Sequence, residues 1–327
     1  MKQRSRAIAV LLVTIAAVLP GCRQKNKRVV GLVPKGATQV FWQAVHAGGV
    51  KAAMEFNLEV LWNAPATESD SSRQIAIVDA MINRGVDGIA LAPVDRTALV
   101  AVIDRAIDAG IAAVVFDSGL DSTRPVSYIA TDNREAGKMA ARRMGEILRG
   151  KGKVLILSDG PASASTVQRV AGFEEQAKAG FPLLELLNVQ YVMADRAKAR
   201  AVTENVLTAH ANLGGIFADH ENAVSGAVLA LKSRQNHTVK LVGFDASEQL
   251  VTDLKEGWVD SLVVQNPFRM GYESVRALAF ALSGRKPARQ IDTGSTVVLR
   301  EDLNKPGIHN LLFPDLETYL GAGTSGR

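Results

Sequence analysis

The sequence predicts an α/β protein made of two similar lobes, each a parallel β-sheet covered by helices. Short apolar runs alternate with longer amphipathic stretches from Val29 onward, which is the pattern of repeated βα units. The runs are almost continuously apolar, as expected of parallel strands that are buried on both faces. A mature chain of about 300 residues also exceeds most single cores, so two lobes are expected.

Eight apolar runs are the predicted strands. Four come before residue 120 and four between residues 153 and 264, and a last helix and strand follow them. In chain order the runs are RVVGLV, LEVLW, DGIALA, AAVVF, KVLIL, GGIFA, VKLVGF and DSLVV.

The stretches between these runs predict amphipathic helices that end at glycine. In SSRQIAIVDAMINRG, the residues Ile75, Val78, Met81 and Ile82 recur at helical spacing before Gly85. DRTALVAVIDRAIDAG and NREAGKMAARRMGEILRG follow the same pattern. No long tract of Pro, Gly or Ser separates the lobes, which indicates that short hinge segments join them.

The N-terminal segment, residues 1–21, predicts an export signal. A basic start is followed by the apolar run 7–19 and by Gly21, the order expected of a cleaved signal. LPGC, which ends at Cys22, resembles a bacterial lipoprotein box, in which the cysteine is lipidated and becomes the mature N-terminus. An ordinary secretory signal with an incidental cysteine is the alternative. Residues 22–28 then form a polar tether.

The charge balance gives no support for nucleic-acid binding. The formal net charge of +5 includes Lys2, Arg4 and Arg6, which leave with the signal. The remaining 35 basic and 33 acidic residues give only +2, whereas nucleic-acid binding requires a clustered basic face.

Polar and aromatic residues follow several predicted strands. Ligands of open parallel sheets bind beyond the carboxyl ends of the strands, so these residues are binding candidates. They are Lys35, Gln39, Phe41 and Trp42 after the first strand, Asp117 and Ser118 after the fourth, Asp219 and His220 after the sixth, Asp245 after the seventh, and Gln265 and Asn266 after the eighth.

Each candidate also has a structural explanation. Asp245 could cap the helix that follows it, His220 could lie in a solvated loop or at a helix start, and the adjacent rings of Phe41 and Trp42 could pack in a core. The recurrence of such residues in both lobes favours a shared ligand site.

Enzyme, metal and cofactor sites are not expected. GEILRGKG has phosphate-loop spacing, but Gly152 replaces the Ser or Thr, and the helix precedes the strand. No G-x-G-x-x-G opens the first helix and no G-x-S-x-G is present. The five histidines show no i, i+4 pair, and Cys22 is the single cysteine, so a zinc site is not predicted.

Several blocks in order resemble the type I periplasmic binding proteins of sugar ABC transporters, the ribose-binding group. The resemblance spans residues 28–300, and its blocks are VVGLVPKGATQVFWQAVHAGGVKAA, RGVDGIALAPVD, DAGIAAVVFDSGL, YIATDNREAGKMAA, RVAGFEEQAK, GGIFADHENAVSGAVLAL, VKLVGFDAS and VVQNPFRMGYESV.

The resemblance implies two Rossmann-like lobes joined by three crossovers, near residues 130–132, 265 and 292. The N-terminal lobe would then comprise residues 29–130 and 266–292. The C-terminal lobe would comprise residues 131–265 and 293–318.

The resemblance also implies ligand contacts on both lobes. Those of the first lobe are Gln39, Phe41, Trp42, Asp117 and Ser118, and those of the second are Arg169, His220, Asp245 and Gln265. Lys35 joins them because VPK and FDS are similar to the rhamnose and autoinducer-binding branch. Ribose binders carry Arg at the position of Ser118 and Asn at that of His220, which indicates a pocket that is not tuned to ribose.

The expected function is a lipid-anchored, periplasmic or cell-surface monomer that delivers a monosaccharide or polyol to an ABC transporter permease. A receptor that presents a sugar or an autoinducer-like signal to a sensor kinase is the alternative. A LacI-type repressor would require about 60 residues of helix-turn-helix before the first strand, where this chain has the signal and Cys22.

Overall fold

The structure is a computed structural model that describes residues 27–37 and 39–321. Its strands are β1 (Arg28–Val33), β2 (Leu58–Trp62), β3 (Gly88–Leu91), β4 (Ala112–Phe116), β5 (Ser127–Ala130), β6 (Lys151–Ser158), β7 (Leu183–Leu186), β8 (Gln190–Tyr191), β9 (Leu213–Ala218), β10 (Lys240–Phe244), β11 (Ser261–Gln265), β12 (Gln290–Asp292) and β13 (Ser295–Val298). Its helices are α1 (Val40–Phe56), α2 (Ser71–Arg84), α3 (Val100–Asp108), α4 (Asn133–Ile147), α5 (Ala164–Gly180), α6 (Arg196–Ala209), α7 (Glu221–Ser233), α8 (Glu248–Glu256), α9 (Pro267–Leu282), α10 (Pro306–Leu312) and α11 (Glu317–Leu320).

Within this described part of the chain, the strands form two sheets. The first sheet has the order β12-β5-β4-β3-β1-β2 and is parallel throughout. The second has the order β13-β11-β10-β9-β6-β7, with β8 paired to β6, and only its β11–β13 pair is antiparallel. All eight apolar runs form strands, and the predicted α/β class with two lobes is confirmed.

Some elements differ from the sequence prediction. The strands β5, β7 and β8 were not predicted because they are only four, four and two residues long and two of them are half exposed. The helix expected to start near Asp95 starts instead at Val100. The Asp95 carboxylate accepts hydrogen bonds from the backbone N–H groups of Thr97 and Ala98 at 2.8 Å, which holds this segment in a turn.

The chain passes between the two sheets at three places. It leaves the first sheet after β5 and enters α4, which packs on the second sheet. It returns after β11 into α9, which packs on α1. The third passage is the short step from β12 in the first sheet to β13 in the second.

Each lobe has its own apolar core on both faces of its sheet. Paired helices cover these faces and approach closely at glycines. A Cβ on Gly172 of α5 would lie 1.9 Å from the carbonyl oxygen of Arg134 on α4, and one on Gly271 of α9 would lie 1.8 Å from that of Val45 on α1. Glycine at these crossings therefore sets where α5 and α1 present their side chains.

The predicted signal and Cys22 lie outside the described residues, as does most of the tether. Among residues 27–37 and 39–321, no helix combines the length and the apolar character needed to cross a bilayer.

Candidate functional site

A cavity lies between the carboxyl ends of the strands of the two sheets. It has about 440 Å³ of empty space, part of which is open to solvent. Both lobes line it, through Lys35, Gln39, Phe41, Trp42, Glu68, Asp117, Asp159, Ser165, Thr166, Arg169, His220, Glu221, Asn222, Asp245 and Gln265. The structure therefore brings nine of the ten candidate ligand contacts to one cavity, and Ser118 is the exception.

Asp117 and Asp245 occupy equivalent positions in the two lobes. Asp117 follows β4 and Asp245 follows β10, and their φ angles are 59° and 67°. The backbone N–H of each donates to the neighbouring strand, from Asp117 to the carbonyl oxygen of Ile129 and from Asp245 to that of Val263. Positive φ is uncommon outside glycine and often marks functional positions. Here it turns both carboxylates toward the cavity.

The Asp245 carboxylate is buried and hydrogen-bonded within the second lobe. Its Oδ1 accepts from Nε2 of Gln265 at 2.7 Å, and its Oδ2 accepts from the backbone N–H of Glu221, the first residue of α7, at 3.3 Å. Asp245 does not cap α8, because the Ser247 side chain accepts from the Leu250 backbone N–H there. The helix-cap explanation of Asp245 is therefore wrong.

Arg169 on α5 is held in place by other residues of the second lobe. Its Nε donates to Oδ1 of Asn133 and its Nη1 to the carbonyl oxygen of Asp219, both at 2.8 Å. Its guanidinium lies 4.4 Å from the centre of the Phe244 ring. These contacts fix a planar cation at the cavity wall.

Phe41 and Trp42 both belong to the core of the first lobe and also line the cavity. Their rings meet edge to face with centroids 4.8 Å apart, and Trp42 meets Phe116 in the same way at 6.5 Å. The indole Nε1 of Trp42 donates to Oε1 of Glu68 at 2.6 Å. Packing and cavity lining are thus not alternatives for this pair, since the same rings do both.

Lys35 and Ser118 join the two lobes across the cavity edge. Nζ of Lys35 lies 3.2 Å from Oδ2 of Asp117 and donates at 3.2 Å to Oγ of Ser163 and of Ser165 in the second lobe. Oγ of Ser118 accepts from the Ser165 backbone N–H at 3.1 Å. Ser118 thus holds the lobes together, and its ligand contact stays a prediction.

His220 precedes α7 and is only 8% exposed. Its Nδ1 is 2.7 Å from Oδ1 of Asp219, whose Oδ2 accepts from Oγ of Ser158 at 2.5 Å. Its Nε2 is buried and has no hydrogen-bond partner among the described residues. His220 lies at a helix start, as one of the two structural explanations predicted, but not in a solvated loop. A polar atom of its ring is available to a ligand.

Six cavity residues were not predicted from the sequence: Glu68, Asp159, Ser165, Thr166, Glu221 and Asn222. Asp159 comes directly after β6 and could have been found by the strand-end rule. Glu221 and Asn222 follow His220 and begin α7. Glu68 lies in the irregular segment between β2 and α2, where no sequence period marks it.

Three acidic side chains of the cavity, and His220, have altered pKa values. Burial raises the pKa of Glu68 despite its bond to Trp42, and burial likewise raises the pKa of Asp245 despite Arg169. Burial, with Asp245 and Glu68 nearby, raises the pKa of Glu221 to about 8. Burial opposes the charge of His220, but the Asp219 carboxylate and other nearby acids outweigh it and raise its pKa.

No group of His, Cys, Asp and Glu among the described residues has the arrangement of a metal site.

The sequence profile described as periplasmic binding protein domain matches residues 30–286. The ribose import binding protein of Bacillus subtilis is 26% identical over 267 residues, which are 82% of this chain and 86% of that protein. The D-ribose/D-allose-binding protein of Pseudomonas aeruginosa is 27% identical over 87% of this chain and 92% of its own length.

Solved structures agree with these relatives. An ABC transporter solute-binding protein from Agrobacterium vitis with bound D-fucose superposes with a TM-score of 0.84 at 32% identity, over 87% of this chain and all of that one. A carbohydrate transporter solute-binding protein from Agrobacterium radiobacter, in complex with D-arabinose, gives 0.86 at 27% identity, over 88% of this chain and 100% of that one. The fold is the type I periplasmic binding protein fold. These relatives are binding proteins of transporters, which confirms that the chain is not an enzyme.

Proposed function

The chain belongs to the periplasmic binding protein family, and we propose that it captures a monosaccharide or related polyol between its two lobes and delivers it to an ABC transporter permease. The observation that carries this proposal is the cavity between the lobes, which is lined by Asp117 of one lobe, by Asp245 of the other and by the rings of Phe41 and Trp42.

This combination of side chains suits a sugar. A sugar ring has apolar C–H faces and a belt of hydroxyl groups, so that aromatic rings can cover the faces while carboxylates and a guanidinium pair with the hydroxyls. Hydrogen bonds to charged groups are roughly twice as strong as neutral ones. A buried hydroxyl left unpaired costs about 1–3 kcal/mol, which makes such a site selective.

The ligands named for the relatives support the same class. Ribose, D-allose, D-fucose and D-arabinose are named for the proteins compared above, and all are monosaccharides. Two features of the sequence argue against ribose itself: Ser118 and His220 replace the Arg and Asn that the resemblance implies in ribose binders.

We further propose that the protein acts outside the cytoplasm as a monomer, held to the membrane by lipid on Cys22. The LPGC motif supports this anchor. Labelling of cells with a radioactive fatty acid would test it, because the wild-type protein should incorporate label and a Cys22→Ser variant should not. Label in both proteins, or in neither, would contradict the anchor.

A thermal-shift panel of pentoses, hexoses, deoxysugars and alditols tests the binding function. A ligand at about 100 times its dissociation constant stabilises the folded state by about 2.7 kcal/mol. The variants Asp117→Asn and Asp245→Asn should lose the shift and remain folded, because asparagine tolerates the positive φ of both positions. A panel without any shift, or retained affinity in both variants, would contradict the proposal.

A further inference from the structure

The cavity holds more acids than cations. Five acidic residues line it: Glu68, Asp117, Asp159, Glu221 and Asp245. Its described lining residues include one lysine, Lys35, and one arginine, Arg169. Both of these cations already interact with an acid of the cavity. Nζ of Lys35 lies 3.2 Å from Oδ2 of Asp117, and the positive charge of Arg169 favours the ionised form of Asp245.

Three acids are left after this pairing: Glu68, Asp159 and Glu221. They lie close enough to repel one another, since, in addition to burial, the charge of Glu68 raises the pKa of Glu221 and that of Asp159 raises the pKa of Glu68. His220 lies among them, but its Nδ1 is already bound to Asp219. An unpaired buried charge is costly, and burial raises the pKa of both Glu68 and Glu221 despite the nearby charge of His220. The end of the cavity that these acids occupy therefore holds protons where a cation could bind.

Two buried acceptor atoms at this end have no hydrogen-bond partner among the described residues. They are Oε1 of Gln265 and Oε2 of Glu221. Gln265 is only 2% exposed, and its Nε2 is committed to Asp245, so the orientation of its free oxygen is set. Asp245 also accepts from the Glu221 backbone N–H, which places both residues beside the same carboxylate. The amide oxygen of Gln265 can only accept, so it requires a donor from the ligand.

We infer that the ligand carries a protonated amine, as an amino sugar or amino polyol does, and that its ammonium group lies against Glu221 and Gln265 beside Asp245. An ammonium supplies three N–H donors and the positive charge that the carboxyls lack. A neutral hydroxyl could satisfy the acceptors but could not replace the proton that Glu221 holds in the unliganded protein. The inference rests on the proposed function, because it specifies the ligand of the same cavity.

Binding of an amine should change the protonation of Glu221. Burial and the neighbouring Asp245, Glu68 and His220 leave the Glu221 pKa at about 8, so this carboxyl is mostly protonated at neutral pH. An ammonium beside it favours the ionised form. Binding of an amine near neutral pH should therefore release about one proton per ligand, and binding of a neutral sugar should not.

Isothermal titration calorimetry with matched pairs tests the inference. The pairs are D-glucosamine with D-glucose, D-galactosamine with D-galactose, and 1-amino-1-deoxy-D-sorbitol with D-sorbitol, each measured in two buffers of different ionisation enthalpy. At least one amine should bind at least about tenfold more tightly than its hydroxyl counterpart, as expected of one added charge-assisted hydrogen bond. The same amine should release a proton.

Variants identify the carboxyl that is responsible. Glu221→Gln should abolish both the preference for the amine and the proton release. Glu248→Gln is the matched control, because Glu248 is also the first residue of a helix in the second lobe but is exposed. If Glu221→Gln fails to fold, Glu68→Gln should reduce the same preference.

The outcomes separate this inference from the proposed function. Neutral sugars that bind as tightly as their amines, or amines that bind without proton release, overturn the inference and leave sugar binding intact. A preference that persists in both Glu221→Gln and Glu68→Gln also overturns it. If no amine binds and no neutral sugar of the pairs or of the thermal-shift panel binds, the proposed function fails as well.

Discussion

The indole ring of Trp42 has two roles. It is only 3% exposed and packs in the core of the first lobe, yet it lines the cavity and binds Glu68. Aromatic residues beside a strand end therefore cannot be assigned to the core or to the ligand from sequence alone. The indole reaches both because Trp42 lies in the first turn of α1, which follows the carboxyl end of β1.

Substitution of Trp42 should lower both ligand affinity and stability, and the loss should grow with the amount of ring removed. Trp42→Phe should keep the fold but weaken ligand affinity about tenfold, because it removes ring area and frees Glu68 from its donor. Trp42→Ala should in addition cost about 3–5 kcal/mol of unfolding free energy. Calorimetry and urea unfolding measure the two effects. Trp258→Phe is the control, because it alters an indole outside the cavity lining. An unchanged affinity in Trp42→Phe would show that the ring has a packing role only.

Glu221 should make the stability of the unliganded protein depend on pH. Its pKa rises from the ordinary 4.5 to about 8 on folding, so the folded state holds the proton more tightly than the unfolded state. The stabilisation is complete below the unfolded pKa and is lost as the pH rises toward 8. Urea unfolding across this range should show a steeper loss of stability in the wild type than in Glu221→Gln. Parallel curves for the two proteins would contradict the raised pKa.

At the scale of elements, the crossing of α4 and α5 positions Arg169. A Cβ on Gly172 would lie 1.9 Å from the Arg134 carbonyl oxygen, and one on Gly137 would lie 2.0 Å from that of Arg169 itself. The small residues thus let α5 approach α4 closely enough for Arg169 to reach Asn133.

Gly172→Ala should therefore disturb the site from a distance. The two backbones must separate, which we expect to cost about 1–3 kcal/mol of unfolding free energy and to weaken ligand binding through the displaced guanidinium. Gly307→Ala is the matched control, because a Cβ on this helical glycine meets no atom within 4 Å. Full affinity in Gly172→Ala would show that the crossing does not position Arg169.

The sequence predicted those elements whose burial is visible in their composition. Strands such as β4 and β10 are continuous apolar runs because helices cover both faces of each sheet, and the polar residues that follow them reach the cavity. The strands β5 and β7 are only four residues long, and β7 is also half exposed, so no pattern marks them. Glu68 was missed for a different reason, because only the tertiary fold brings its irregular segment to Trp42.

At the scale of the whole molecule, the two lobes contact each other around the cavity. Lys35 binds Ser163 and Ser165, and the Arg96 backbone N–H donates to the Ala162 carbonyl oxygen at 3.0 Å. Because these contacts tie the lobes together beside the cavity, we expect ligand entry to require the lobes to separate about the three chain crossings. Such hinge closure around a ligand is a known mode of domain motion.

The central claim is that the ligand is held between the two lobes, and a crystal structure of the protein with the tightest ligand of the sugar and amine panels tests it most directly. The electron density should show the ligand in the cavity, with Trp42 against one face and with Asp117 and Asp245 within hydrogen-bond distance of its polar groups. Density for the ligand at any other place, with the cavity filled by water alone, would contradict the account.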